Sequence, residues 1–105
     1  MLSFNCLEEI QQKVDEWITS HGGYWSPLAM LAAIMEELGE LAREINCNEG
    51  FKPKKNIIEQ SKLGEELGDL LFSLICLANY YKIDLNSEFK KVLTKYLERD
   101  SKRFL

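Results

Sequence analysis

The chain of 105 residues has a single histidine, His21, and it precedes Gly22-Gly23 at an expected helix end. A di-iron bundle, which needs Glu-x-x-His pairs, is therefore left without its ligands. The three cysteines, Cys6, Cys47 and Cys76, are odd in number and form no Cys-x-x-Cys pair, so neither a disulfide framework nor a zinc site is expected, and a reduced, cytoplasmic setting fits. No long hydrophobic run occurs: Leu70 to Ala78, broken only by Ser73, is far short of a bilayer span. No basic stretch opens the chain, which meets Glu8 and Glu9 early, so no export signal and no membrane partner are expected. Positive charge is also short. With 13 Lys and Arg against 17 Asp and Glu, a net charge of −4 argues against a general nucleic-acid binder. At this length, with 46% hydrophobic residues, one small domain spanning residues 1–105 is expected.

What the sequence does have is two short acidic blocks that nearly repeat: Glu36-Glu37-Leu38-Gly39-Glu40-Leu41 and Glu65-Glu66-Leu67-Gly68-Asp69-Leu70. Each places carboxylates at i and i+3, on one face of a helix. The second block opens a segment, Leu67 to Ala78, in which only Gly68, Asp69 and Ser73 interrupt apolar side chains. Such a helix reads as a core helix. Ionised carboxylates beside buried surface are costly unless a cation meets them, and a hard divalent cation prefers oxygen ligands. A solvated acidic face is the plainer reading of either block alone. The pair is harder to dismiss, because each carries a glycine between its acids at a cost of about 1 kcal/mol relative to alanine. Close helix approach, or room for a ligand, would explain both glycines.

The apolar spacing predicts four helices. The first starts after Asn5, with Glu8 as capping-box partner, and runs through Leu7, Ile10, Val14, Trp17 and Ile18 to His21-Gly22-Gly23. Ser26 then caps a second helix, with Pro27 as its first residue, lasting to about Asn46. Trp25 stands where it can staple onto Met30, a role set against stacking on a ligand base, and the two are not exclusive. The second helix is apolar over a wide arc, more than one facing helix needs, which points to a homo-oligomer. Residues 47–60 read as a long loop whose Lys52, Lys54 and Lys55 are either solvated or face phosphate. A third helix is expected from about Ser61 to Tyr81, and a fourth after a turn, capped by Asn86 or Ser87. Beside the fourth helix's apolar face Lys91, Lys95, Arg99 and Arg103 recur every four residues. Lys95 and Arg99 are expected to face an anion.

Glu-Glu-x-x-Glu followed after about 25 residues by Glu-x-x-Asp on two central helices resembles the MazG-like nucleoside triphosphate pyrophosphohydrolases. The motif residues here are Glu36, Glu37, Glu40, Glu66 and Asp69, and the likeness extends from the GYWSPLAMLAAIMEELGELARE stretch to Lys95-Tyr96-x-x-Arg99. The resemblance implies an all-α fold, a small four-helix bundle-like domain that assembles as a homodimer or homotetramer. It also implies an enzyme that uses Mg²⁺, with Mn²⁺ able to substitute, to split a nucleoside triphosphate into monophosphate and pyrophosphate, in the role of cleansing the nucleotide pool. On that basis Glu37, Glu40, Glu66 and Asp69 are the expected metal ligands. Glu36 is expected to orient water or hold a second metal, and Lys95 and Arg99 to contact phosphate. Relatives commonly carry Asn beside the fourth-helix lysine, where this chain has Thr94. A phosphoribosyl-ATP pyrophosphohydrolase, which makes the same cleavage on a related scaffold, and a non-enzymatic helical interaction module are the alternatives.

Overall fold

A computed structural model describes residues 6–50 and 62–103 of the chain, with side chains as far as residue 100. Four helices follow one another, α1 (Leu7–Ser20), α2 (Pro27–Asn48), α3 (Leu63–Tyr80) and α4 (Leu85–Arg103), and no strand occurs among the described residues. The fold is all-α, as the spacing and the resemblance imply. No helix among the described residues is long and apolar enough to cross a membrane, and all three thiols are free.

Local chemistry sets most helix ends. Gly22 and Gly23 adopt φ of 105° and 90°, and the amides of His21 and Gly23 both return to the Ile18 carbonyl, so α1 stops where glycine permits the left-handed turn. Tyr24 then folds back, its hydroxyl donating to Asp15 Oδ1 at 2.6 Å. Ser26 Oγ accepts from the Ala29 amide at 3.2 Å with Pro27 at the first helical position, the expected start of α2.

Two expected caps are corrected. The N-cap of α1 is Cys6, which makes no side-chain capping bond; Asn5, the expected cap, lies outside the described residues. The cap of α4 is neither Asn86 nor Ser87 but Asp84, whose Oδ1 accepts from both of their amides at 3.0 and 3.4 Å. An aspartate one residue before the first helical turn competes better than Asn86, whose side chain would cap only a helix starting two residues later. Helix α2 also runs two residues past the expected Asn46, and the loop lysines Lys52, Lys54 and Lys55 fall outside the described residues.

The described chain forms two compact units. In the first, α1, the last turn of α3 and α4 meet around Gln11, a polar residue set in the apolar stripe of α1 and only 8% exposed. Its amide nitrogen donates to Asn79 Oδ1 and to the Ile83 carbonyl, both at 2.8 Å, and its oxygen accepts from the Leu85 amide at 2.8 Å. Asn79 returns a bond from its own side-chain amide to the Gln11 carbonyl at 3.0 Å. The bend between α3 and α4 is thus tied to α1, with Lys82 at φ 59° taking the left-handed position usually given to glycine. Gln11→Ala leaves the Ile83 carbonyl and Leu85 amide without this partner. A loss of about 2 to 3 kcal/mol in urea unfolding is expected; a loss under about 0.5 kcal/mol would mean that water replaces the side chain at no cost.

The second unit comprises α2 and most of α3, Trp25–Leu77. Met30, Ile75 and Cys76 are its buried apolar side chains, whereas Leu67, Leu71, Phe72 and Leu74 of α3, with Leu28, Leu31, Met35 and Leu38 of α2, remain exposed. The core-helix reading of α3 is corrected accordingly: among the described residues most of its large apolar side chains are exposed. The same holds for Phe89, Val92, Leu93, Tyr96 and Leu97 on α4.

Candidate functional site

Both acidic blocks fall in the second unit, one in the middle of α2 and the other in the first two turns of α3. Glu65 and Glu66 occupy the first turn of α3, where the helix dipole favours negative charge. The two helices bring one carboxylate oxygen each of Glu37, Glu66 and Asp69 within 4.8 Å of one another. Glu37 and Glu66 are half-buried and Asp69 is exposed.

Three carboxylates so close repel one another. Partial burial, then the charge of Asp69, then those of Glu36 and Glu40 push the Glu37 carboxyl above the usual carboxylate range. Glu66 is raised by partial burial, then Asp69, Glu40, Glu37 and Glu65. Asp69 is the strongest charged neighbour of both. Glu40 adds its field from the next turn of α2 while its own carboxylate stands 4.0 Å from Arg43 on the surface. Glu36 lies on the exposed side of α2 beside Glu37.

These raised carboxyls fix a pH dependence. The folded state holds protons on Glu37 and Glu66 that the unfolded chain releases above its own value of about 4.3. Between that value and the raised ones the folded chain binds more protons, so stability increases as pH falls. The melting temperature in EDTA is expected to rise as pH is lowered from 7.5 through the raised values, and to stop rising near the unfolded value. A melting temperature that falls steadily over that range would show that favourable partners, not repulsion, govern these carboxyls.

Both block glycines face open space. A methyl group added at Gly39 or Gly68 meets nothing within 4 Å among the described residues, so no close approach of the described helices accounts for either. Trp25, beside the N-cap of α2, leaves 67% of its surface exposed. Lys95 and Arg99 belong to the first unit, on α4. The Lys95 ammonium lies 5.0 Å and the Arg99 guanidinium 4.6 Å from the centre of the Tyr96 ring, and Arg99 Nε donates to Asp100 Oδ1 at 3.0 Å. An open groove along this face, lined by Lys90, Lys91, Thr94, Lys95, Glu98 and Arg99, has a volume of about 710 Å³.

A family model, the MazG nucleotide pyrophosphohydrolase domain, matches residues 25–104, which include both acidic blocks and the α4 lysines. The chain belongs to the MazG nucleotide pyrophosphohydrolase family. Membership makes it a hydrolase acting on pyrophosphate bonds. Among MazG relatives, the uncharacterized protein YpjD of Bacillus subtilis (strain 168) is 45% identical over 104 residues, covering 98% of this chain and 94% of YpjD. A crystal structure of B. subtilis YpjD, a candidate pyrophosphatase, superimposes with a TM-score of 0.80 at 46% identity, covering 90% of this chain and 98% of that one. The crystal structure of a Bacillus-conserved MazG protein, a nucleotide pyrophosphohydrolase, gives a TM-score of 0.75 at 40% identity, with 90% and 93% covered.

Two residues that matter to the MazG architecture here escape a reading of periodicity. Gln11 shows only as a polar residue on an apolar stripe. Glu44, four residues beyond Glu40, reads as one more surface acid yet is 2% exposed, its Oε2 accepting from the Lys62 amide at 3.2 Å.

Proposed function

We propose that this MazG domain is a divalent-cation-dependent nucleoside triphosphate pyrophosphohydrolase that releases the nucleoside monophosphate and pyrophosphate. The observation that carries the proposal is the meeting of Glu37, Glu66 and Asp69 within 4.8 Å. Oxygen-only donors with raised affinity for positive charge fit a hard cation such as Mg²⁺, with Mn²⁺ as substitute. In this reading Glu37, Glu40, Glu66 and Asp69 hold the cation, which when bound neutralises charge on the phosphates and polarises the reacting phosphoryl group.

The remaining tasks fall to side chains. Water attacks the α-phosphorus, a new phosphorus–oxygen bond forms, and the bond from that phosphorus to the α–β bridging oxygen breaks, with the electron pair leaving on pyrophosphate. Glu36 is assigned to orient the water or to hold a second metal, and the proton of the water passes to a carboxylate of the acidic face. Lys95 and Arg99 are given the phosphate charge and Trp25 the base, which its exposed indole face suits. The domain is proposed to span residues 1–105, to work in the cytoplasm on the nucleotide pool, and to assemble as a homodimer or homotetramer that covers the exposed apolar side chains of α2, α3 and α4.

A panel of canonical, deoxy and damaged nucleoside triphosphates, with phosphoribosyl-ATP included, tests the activity when pyrophosphate is detected with and without Mg²⁺. Metal-dependent pyrophosphate from triphosphates is the expected result. Turnover of phosphoribosyl-ATP alone would transfer the enzyme to that substrate, and no turnover of any would remove the proposal. Light scattering is expected to give at least a dimer at micromolar concentration; a monomer would contradict the assembly.

A further inference from the structure

The buried Glu44 has no task in the chemistry above. Glu44 to Glu40 to Glu37 is a descent of four and then three residues along one face of α2, and Lys62 to Glu66 to Asp69 is an ascent of four and then three along α3. The Glu44–Lys62 hydrogen bond and the meeting of Glu37 with Glu66 and Asp69 are therefore two levels of one seam between α2 and α3. The first is directional, with the Glu44 side chain buried, whereas the carboxylates of the second repel one another. Lys62 immediately precedes α3, and its carbonyl accepts from the Glu66 amide at 2.9 Å, so a hold on Lys62 is a hold on the turn that carries Glu66.

We infer that Glu44 is a positioning residue, whose carboxylate pins the start of α3 to α2 and sets the register in which Glu37, Glu66 and Asp69 meet. Four and three residues are one turn each, so a slip at Lys62 carries over to Glu66 and Asp69 with no intervening flexible joint. Without this anchor the two acidic faces separate under their own repulsion, because the carboxylates of the cluster offer one another no attraction until a cation is present. The inference rests on the proposed metal site, and it is separable from a mere contribution of charge.

Two variants make the separation. Glu44→Asp keeps the charge but withdraws the oxygen by one methylene, breaking the bond to Lys62; Glu44→Gln removes the charge but keeps an oxygen at the same reach. Mn²⁺ binding by calorimetry and amide hydrogen exchange at Glu66 in metal-free protein are measured for parent and variants, with melting curves to establish that each is folded. Glu44→Asp is expected to exchange the Glu66 amide faster and to bind Mn²⁺ roughly tenfold more weakly or worse, while Glu44→Gln stays within about threefold of the parent. The reverse order would assign Glu44 a purely electrostatic effect and overturn the inference. So would a Glu44→Asp protein with the parent's Mn²⁺ affinity, whatever its exchange rate. A parent that binds no Mn²⁺ overturns the metal site itself, and the positioning role with it.

Discussion

Asp69→Asn is expected to reduce turnover by about a hundredfold or more and, in EDTA, to raise the melting temperature. The loss follows from removing one of the three carboxylates that converge within 4.8 Å. A bound cation supplies several kcal/mol of charge stabilisation, and each 1.4 kcal/mol is tenfold in rate. The gain follows from the same charge, since Asp69 is the strongest charged neighbour raising both Glu37 and Glu66. Without metal its carboxylate only repels, and an amide of equal size removes the repulsion while keeping the space filled. Saturating Mg²⁺ is then expected to stabilise the parent far more than the variant, because only a protein that binds the ion gains from mass action. Melting curves of both proteins with EDTA and with Mg²⁺ read all of this. An Asp69→Asn protein that melts lower in EDTA would place Asp69 in a structural bond instead.

The meeting of Glu37, Glu66 and Asp69 was legible because its chemistry is local: carboxylates at i and i+3, repeated with the same glycine between them, need only a helix to share a face. Ser26-Pro27 and His21-Gly22-Gly23 were legible for the same reason, each being a cap or stop written in adjacent residues. Partners far apart in sequence were not. Gln11 and Glu44 look like ordinary polar positions on α1 and α2, and their bonds to Asn79, Ile83, Leu85 and Lys62 exist only after the helices are placed. Asp84 does not stand out in the sequence because Asn86 and Ser87 offer equally good capping chemistry, and the choice is set by where α3 ends, at the turn held by Asn79 and Lys82. The apolar run of α3 fixed its helical character but not what covers it. A helix apolar on most sides reads alike whether its own chain or another copy buries it.

Lys95→Ala and Arg99→Ala are each expected to lower kcat/KM by roughly ten- to a hundredfold with little change in melting temperature. A charge-assisted contact to phosphate is worth about 1.5 to 3 kcal/mol, which sets the range. The stability expectation rests on exposure: α4 holds both side chains on its solvent side, and the Arg99–Asp100 pair, at 56% and 36% side-chain exposure, contributes about 0 to 1 kcal/mol. Both cations lie over the Tyr96 ring, which orders them before any phosphate arrives. Steady-state kinetics on the best substrate of the panel measure the effect. Unchanged kinetics in both variants would leave the α4 cations as solvated surface, and equal losses in kcat/KM and melting temperature would make them structural.

The position of bond cleavage tests the account most directly. Hydrolysis of a turned-over nucleoside triphosphate in ¹⁸O-enriched water with Mg²⁺, followed by phosphorus NMR, shows which phosphorus takes the new oxygen. One ¹⁸O on the nucleoside monophosphate, none on pyrophosphate and no orthophosphate is the predicted result. Label on pyrophosphate, or release of labelled orthophosphate with a nucleoside diphosphate, would contradict attack at the α-phosphorus and with it the assignment of the carboxylate cluster.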